Sequence, residues 1–246
     1  MRMIISPAKK MNTDTDILDY RKLPGWLAET EQLLQQLQGM SYDELKSLWK
    51  CNDAIAQLNE ERIRHMQLTE RLTPAIYSYE GIQYQYMAPG VFSKQELDYL
   101  EQHLRILSGF YGLLRPFDGV VPYRLEMQAK LAGPGFRSLY EFWGRRLADA
   151  LFSETNCIVN LASKEYSKCI TPYLEESTRF VTCVFGQLIG DKVVEKGTLV
   201  KMARGEMVRY MTEHQVASLE EIKHFDRMEF KYNKTLSDEH TYVFIQ

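Results

Sequence analysis

Met1-Arg2-Met3-Ile4-Ile5-Ser6-Pro7-Ala8-Lys9 begins the chain, and its reading decides the fold class. The apolar run is short and stops at Ser6-Pro7, where the proline has no N–H to give a ladder, so residues 3–5 read as a strand. The far end matches it. Residues 228–232 and 241–245 also read as strands, with Ser237-Asp238-Glu239 between them. Most of the intervening chain reads as helix. Strands at both termini around a helical middle predict one α+β body, residues 1–246 as a single compact domain with a mixed sheet and surrounding helices.

Working inward, Leu27, Leu33, Leu34 and Leu37 give residues 27–38 a helical period that Gly39 ends. Ser41-Tyr42-Asp43-Glu44 is a capping box that opens a second helix, and residues 52–66 form a third until Thr73-Pro74. Tyr77, Tyr79, Tyr84 and Tyr86 flank Gly81 in a stretch of little helical character. Ser93-Lys94-Gln95-Glu96 is another capping box, opening a helix that leads into the apolar run 104–114. Residues 138–152 read as one helix and 158–161 as a buried strand. Residues 179–189 and 193–202 alternate around Gly190-Asp191 as a hairpin, and 206–216 follow as a helix with Arg209 exposed.

Composition narrows the classes. With 246 residues, 45% hydrophobic and 26% charged, the chain can bury a sizeable core. No stretch reaches the roughly 18 apolar residues of a membrane span, and the apolar start is too short for a signal peptide, so a cytoplasmic location is expected. Cys51, Cys157, Cys169 and Cys183 are scattered, as are the five histidines, so neither a metal nor another cofactor is expected. The net charge of −3 hides a basic window: residues 104–146 hold seven basic and three acidic side chains.

Five motifs carry chemistry. Arg115-Pro116-Phe117-Asp118 and Pro122-Tyr123-Arg124-Leu125-Glu126-Met127 set two arginines in rigid apolar backbone, suited to phosphate or carboxylate. The plainer reading pairs those arginines with Asp118 and Glu126. Ser6-Pro7-Ala8-Lys9 leaves a strand with a hydroxyl and a lysine, either presented to an anion or simply solvated. Asn160-Leu161-Ala162-Ser163-Lys164-Glu165-Tyr166 leaves another strand with donors, acceptors and an acid or base, although Ser163 also suits a helix N-cap. Lys201-Met202-Ala203-Arg204-Gly205 places two cations where a strand gives way to a helix opened by Glu206 and Met207, whose free N–H groups attract anions. Finally, Gly39-Met40-Ser41 joins two helices like a helix-hairpin-helix element, or like an ordinary capped hairpin.

Taken in order, these segments, with Leu107-Ser108-Gly109-Phe110-Tyr111-Gly112 and Leu139-Tyr140-Glu141-Phe142-Trp143-Gly144, resemble the YaaA family of bacterial peroxide-stress-resistance proteins along essentially the whole chain. The resemblance implies a stress-response protein that limits unincorporated iron. It also implies binding of double-stranded DNA by a helix-hairpin-helix element, here at Gly39 and Ser41, and by a positively charged cleft. Lys9, Arg115, Tyr123, Arg124, Asn160, Lys164, Lys201 and Arg204 are the DNA- or anion-binding candidates, with Tyr123 and Trp143 as apolar wall. DNA recognition through the backbone needs no sequence readout. The alternative is an enzyme acting on a small anionic or nucleotide-like substrate in the same cleft, with Glu126, Ser163 and Tyr166 as catalytic candidates. Direct iron sequestration is the third reading, and the carboxylates and scattered histidines are not arranged as the two Glu-x-x-His motifs of a di-iron bundle. Both leading readings expect Lys9, Arg115, Tyr123, Arg124, Glu126, Asn160, Ser163, Lys201 and Arg204 in one cleft.

Overall fold

A computed structural model describes residues 1–13 and 18–246. Its frame is an eight-stranded mixed sheet. The strands are β1 (Arg2–Ile5), β2 (Leu104–Ser108), β3 (Gly112–Leu114), β4 (Cys157–Leu161), β5 (Arg179–Ile189), β6 (Lys192–Val194), β7 (Lys231–Tyr232) and β8 (Thr241–Ile245). Their order is β7-β8-β5-β4-β1-β2-β3, with β6 paired to β5. The central strands are parallel: β1 lies between β2, with Met3 beside Leu104, and β4, with Ile5 beside Leu161. Such strands are covered on both faces, and Met3, Ile4, Ile5, Ile106, Ile158 and Val159 are fully buried.

Helices α1 (Leu27–Gly39), α2 (Tyr42–Trp49), α3 (Asp53–Arg64), α4 (Ile82–Met87) and α5 (Lys94–His103) fill the crossover from β1 to β2. Both predicted capping boxes are formed, Ser41 with Glu44 and Ser93 with Glu96. Downstream lie α6 (Leu139–Trp143), α7 (Arg146–Glu154), α8 (Lys164–Ser167) and α9 (Gly197–Glu213).

Three expectations are corrected, and the apolar run 104–114, to which no element was assigned, takes a definite form. The run 104–114 is a hairpin: Ser108 Oγ accepts the N–H groups of Phe110 and Tyr111, and Gly112 turns the chain at a φ of 75°. Residues 138–152 break into two helices at Gly144, whose φ of 51° an L-residue adopts only under strain. The segment around Gly81 holds α4. Finally, β6 is only three residues long, and the helix begins at Gly197 instead of Glu206. Val200, Ala203, Met207, Val208 and Met211 are buried along one side of α9, a helical period that the local alternation of residues 193–202 obscured.

Candidate functional site

In an open sheet, ligands bind beyond the carboxyl ends of parallel strands, at the strand from which the chain departs to either side. Here that strand is β1: β2 lies on one flank and β4 on the other. A cleft of about 420 Å³ opens there. Ser6–Lys10 leave β1 along one wall, and Ser163, Glu165 and Tyr166 leave β4 along another. Residues 80–84 and α9, through Lys201 and Arg204, close the sides, and residues 123–126 form the floor.

Two glycines make this convergence possible. A Cβ on Gly109 would sit 2.5 Å from the Leu125 carbonyl, so only glycine lets the floor segment lie against the β2–β3 turn. A Cβ on Gly205 would sit 2.2 Å from the Gln83 carbonyl, so α9 rests directly on α4. This overturns the expectation that Gly205 turns the chain into a helix; it lies inside one, and Lys201 and Arg204 project from a helix body. Ser108 anchors the floor as well. Its hydroxyl, having accepted two backbone N–H groups, also shares a hydrogen bond with the Tyr123 hydroxyl at 2.6 Å, and Tyr123 in turn meets Tyr79 at 2.8 Å. Burial pushes Tyr123 up to about 12, so it remains a neutral phenol.

The charges are unevenly matched. Glu126 lies 3.2 Å from Arg124 and 3.3 Å from Lys9, while Lys10 pairs with Glu80. Lys201 and Arg204 have no ion-pair partner among the described residues. Arg204 Nε, Arg124 Nε, Gln83 Nε2 and Glu126 Oε1 are buried with no hydrogen-bond partner; the Glu126 contacts are close enough for charge attraction but badly angled for hydrogen bonds. Buried polar groups are normally satisfied, and four of the eight such orphans among the described residues surround this one cavity, which makes it the candidate site. Burial lowers the Arg204 pKa from the ordinary value, yet a guanidinium so basic stays charged. Glu165 is raised, first by burial and then by the Glu126 charge, against the Gln128 N–H that it accepts at 3.2 Å.

Of the residues expected to converge, Lys9, Tyr123, Arg124, Glu126, Ser163, Lys201 and Arg204 line the cleft, as does Tyr166. Ser163 does not cap α8; its Oγ accepts from Ser6 Oγ at 3.3 Å. Asn160 stands behind the wall, where its Oδ1 accepts the Ala162 N–H and shapes the strand exit. Lys164 is exposed outside the lining. Arg115 is elsewhere, since β3 runs antiparallel and carries it to the other end of the sheet, near Glu154 at 3.9 Å. Trp143 is core rather than wall, fully buried, with Nε1 donating to the Gly109 carbonyl. Tyr123 packs on Phe110 with ring centroids 4.9 Å apart, meets Tyr79 and Tyr111 edge-on, and is buried, so its ring is not presented for stacking a base.

At the Gly39 hairpin, the Met40 N–H goes to Leu37, and the Ser41 and Glu44 N–H groups complete the capping box. Donors that a phosphate-binding hairpin would present are thus spent within the chain. The basic window dissolves in a similar way: Arg105 pairs with Glu154, Arg137 with Glu141, Arg145 with Asp149 and Arg146 with Glu29. Ser6, Gln83, Tyr84 and Glu165 line the cleft without having been singled out as site residues. The local signal for Gln83 and Tyr84 was Gly81 at the edge of the cleft, where a Cβ would lie 3.0 Å from that of Ala8.

Residues 1–236 match the family described as peroxide stress protein YaaA. Curated relatives named UPF0246 protein are similar over the whole chain. That of Lachnoclostridium phytofermentans is 56% identical, over 100% of this chain and 96% of its own. Those of Desulfitobacterium hafniense and Pediococcus pentosaceus are 54% and 50% identical, each over 100% of this chain and 98% of their own. The order of motifs around the cleft and the match across the whole fold have one reading: this chain belongs to the peroxide stress protein YaaA family.

Proposed function

We propose that this protein acts in the peroxide stress response by binding a small anionic ligand in the cleft at the carboxyl ends of β1 and β4, as an enzyme or a ligand-dependent regulator of that response. The observation that carries the reading is Arg204, a partly buried guanidinium that faces the cavity with no carboxylate within ion-pair distance among the described residues, the Glu195 charge reaching it only from farther off. Lys201 stands one turn before it on the same helix and adds a second unpaired positive charge. Burying a charge without a partner is costly, and an anionic ligand removes that cost. Glu126, Ser163 and Tyr166 lie in the same cavity, within reach of such a ligand. In this reading the limiting of unincorporated iron is a consequence of the ligand's chemistry, not of iron held by the protein's side chains.

The exposed lysines at the mouth favour a second reading, non-specific binding of double-stranded DNA. The side chains of Lys9 and Lys10 are 64% and 78% exposed, and Lys201 is exposed beside them. Against it stand three carboxylates, Glu80, Glu126 and Glu165, in the same lining. Thermal melting with inorganic phosphate tests the first reading: wild type should be stabilised and Arg204→Ala should not. Equal stabilisation of both proteins would defeat it. Duplex binding titrated against salt tests the second, since Lys10→Ala and Lys201→Ala should each reduce the slope by about one counterion. A peroxide survival assay joins the two, because Glu126→Gln should lose protection under the first reading and retain it under the second.

A further inference from the structure

Resting on that reading, we infer that the ligand is a phosphate monoester of a polyhydroxylated carbon skeleton, a sugar phosphate or a nucleoside monophosphate. Its phosphate would lie against Arg204 and Lys201, and its hydroxyls would donate to Glu126 and Glu165. The cleft has two chemically different ends. On α9, two cations one turn apart lack partners, an arrangement matched to a compact dianion. On the floor and the β4 side, Glu126 and Glu165 would repel a second anionic group.

What these carboxylates accept is set by their surroundings. Glu126 is already flanked by Arg124 and Lys9, so a ligand cation there would meet two like charges. Its Oε1 nevertheless retains unused acceptor capacity in a buried position. A neutral hydroxyl donor fits both conditions. Carboxylates accept hydroxyls of a ribose in this manner in dinucleotide-binding folds, at the same end of parallel strands. The Gln83 amide, with Nε2 orphaned, adds a donor for a ligand oxygen. A volume of about 420 Å³ accommodates a pentose phosphate or a nucleoside monophosphate and excludes duplex DNA from the interior.

The test is calorimetric titration of the full chain with inorganic phosphate, ribose, ribose 5-phosphate and adenosine 5′-monophosphate. Ribose 5-phosphate should bind at least about tenfold tighter than inorganic phosphate, the gain expected of hydrogen bonds to a charged group. Glu126→Gln should remove most of that gain and leave the affinity for inorganic phosphate unchanged or tighter, because it deletes a negative charge. A merely structural Glu126 would weaken both ligands together. Glu165→Gln provides the second variant should Glu126→Gln melt early. Adenosine 5′-monophosphate binding as well as or better than ribose 5-phosphate assigns the nucleotide arm; its rejection assigns the sugar phosphate arm. Equal affinity for inorganic phosphate and ribose 5-phosphate overturns this inference and leaves the anion site standing. Absence of inorganic phosphate binding, with Arg204→Ala indistinguishable from wild type, overturns both.

Discussion

Two arginine–glutamate clusters lie at opposite ends of one sheet, and only at the amino end does every arginine reach a carboxylate within 4 Å, although Arg105 Nε there also lacks a hydrogen-bond partner. At the amino ends of the parallel strands, Glu154 receives Arg2 at 2.9 Å and Arg105 at 2.6 Å, with Arg115 at 3.9 Å. Burial alone would raise the Glu154 carboxyl, but Arg105 and Arg2 outweigh it and hold the group below its ordinary value. Arg105 also donates to the carbonyls of Glu101 and Leu104. At the carboxyl ends, Arg204 has none of this. The residue types are the same at both ends, so an arginine beside a strand end says little until its partners are known. Removing the carboxylate from a buried, paired arginine costs the fold stability, whereas an arginine that faces a cavity without a carboxylate is a candidate for binding another molecule.

The largest way to test that contrast is Glu154→Gln. It leaves Arg105, 4% exposed, without its carboxylate and should destabilise the protein by roughly 3 kcal/mol, read by urea unfolding. A change near zero would show that the amino-end cluster is not structural.

Asp118 gives the next effect. Burial pushes it up to about 7, with the Arg115 N–H at 2.8 Å pulling the other way. Because the folded value lies above the ordinary 3.8, the folded state holds this proton more tightly. Its contribution to stability is therefore complete below about 3.8 and is lost as the pH rises through about 7. Asp118→Asn keeps an acceptor for Arg115 and cannot ionise, so the stability lost between pH 5 and 8 should shrink by roughly 2 kcal/mol. An unchanged pH profile would place Asp118 in an environment less dry than its burial indicates.

Arg204→Met should move stability in the opposite sense to Glu154→Gln. Removing an uncompensated charge and filling its place with a methionine should stabilise the fold by roughly 1.5 kcal/mol while abolishing the response to phosphate. Such trade-offs between stability and function are expected where a site stores an unsatisfied group. Loss of stability in Arg204→Met would mean that Arg204 serves the fold, and the contrast between the two ends would collapse.

Arg115→Ala should do least. At 3.9 Å from Glu154 and 41% exposed, its ion pair contributes within roughly 0.5 kcal/mol, and phosphate binding should not change. Impaired phosphate binding would tie the two ends of the sheet together functionally.

Local features were legible because their causes are local. Ser41 and Glu44 form a capping box within three residues, and Gly190-Asp191 joins paired strands without help from elsewhere. The strands at both termini, four of the five named helices of the β1–β2 crossover, the α+β class and the family all follow from the residues as read along the chain, whereas α4 does not. Misreadings arose where neighbouring periods compete: Val193 and Val194 alternate as a strand while Val200 and Ala203 begin a helical stripe.

The site divides in the same way. That strand exits such as Ser6–Lys9 and Ser163–Tyr166 present polar groups is a property of their own sequence, because an ending strand leaves its side chains at the sheet's edge. Which cations remain free is not such a property. Glu126 reaches Arg124 and Lys9, and Glu154 reaches Arg2, Arg105 and Arg115, through pairings that the sheet order creates. Charge attraction and burial depend on distances in space, and those distances arise only when β1 is set between β2 and β4. The terminal strands, the caps and the supply of arginines could be read along the chain; the folded arrangement of the strands is what paired Arg115 at one end and left Arg204 open at the other.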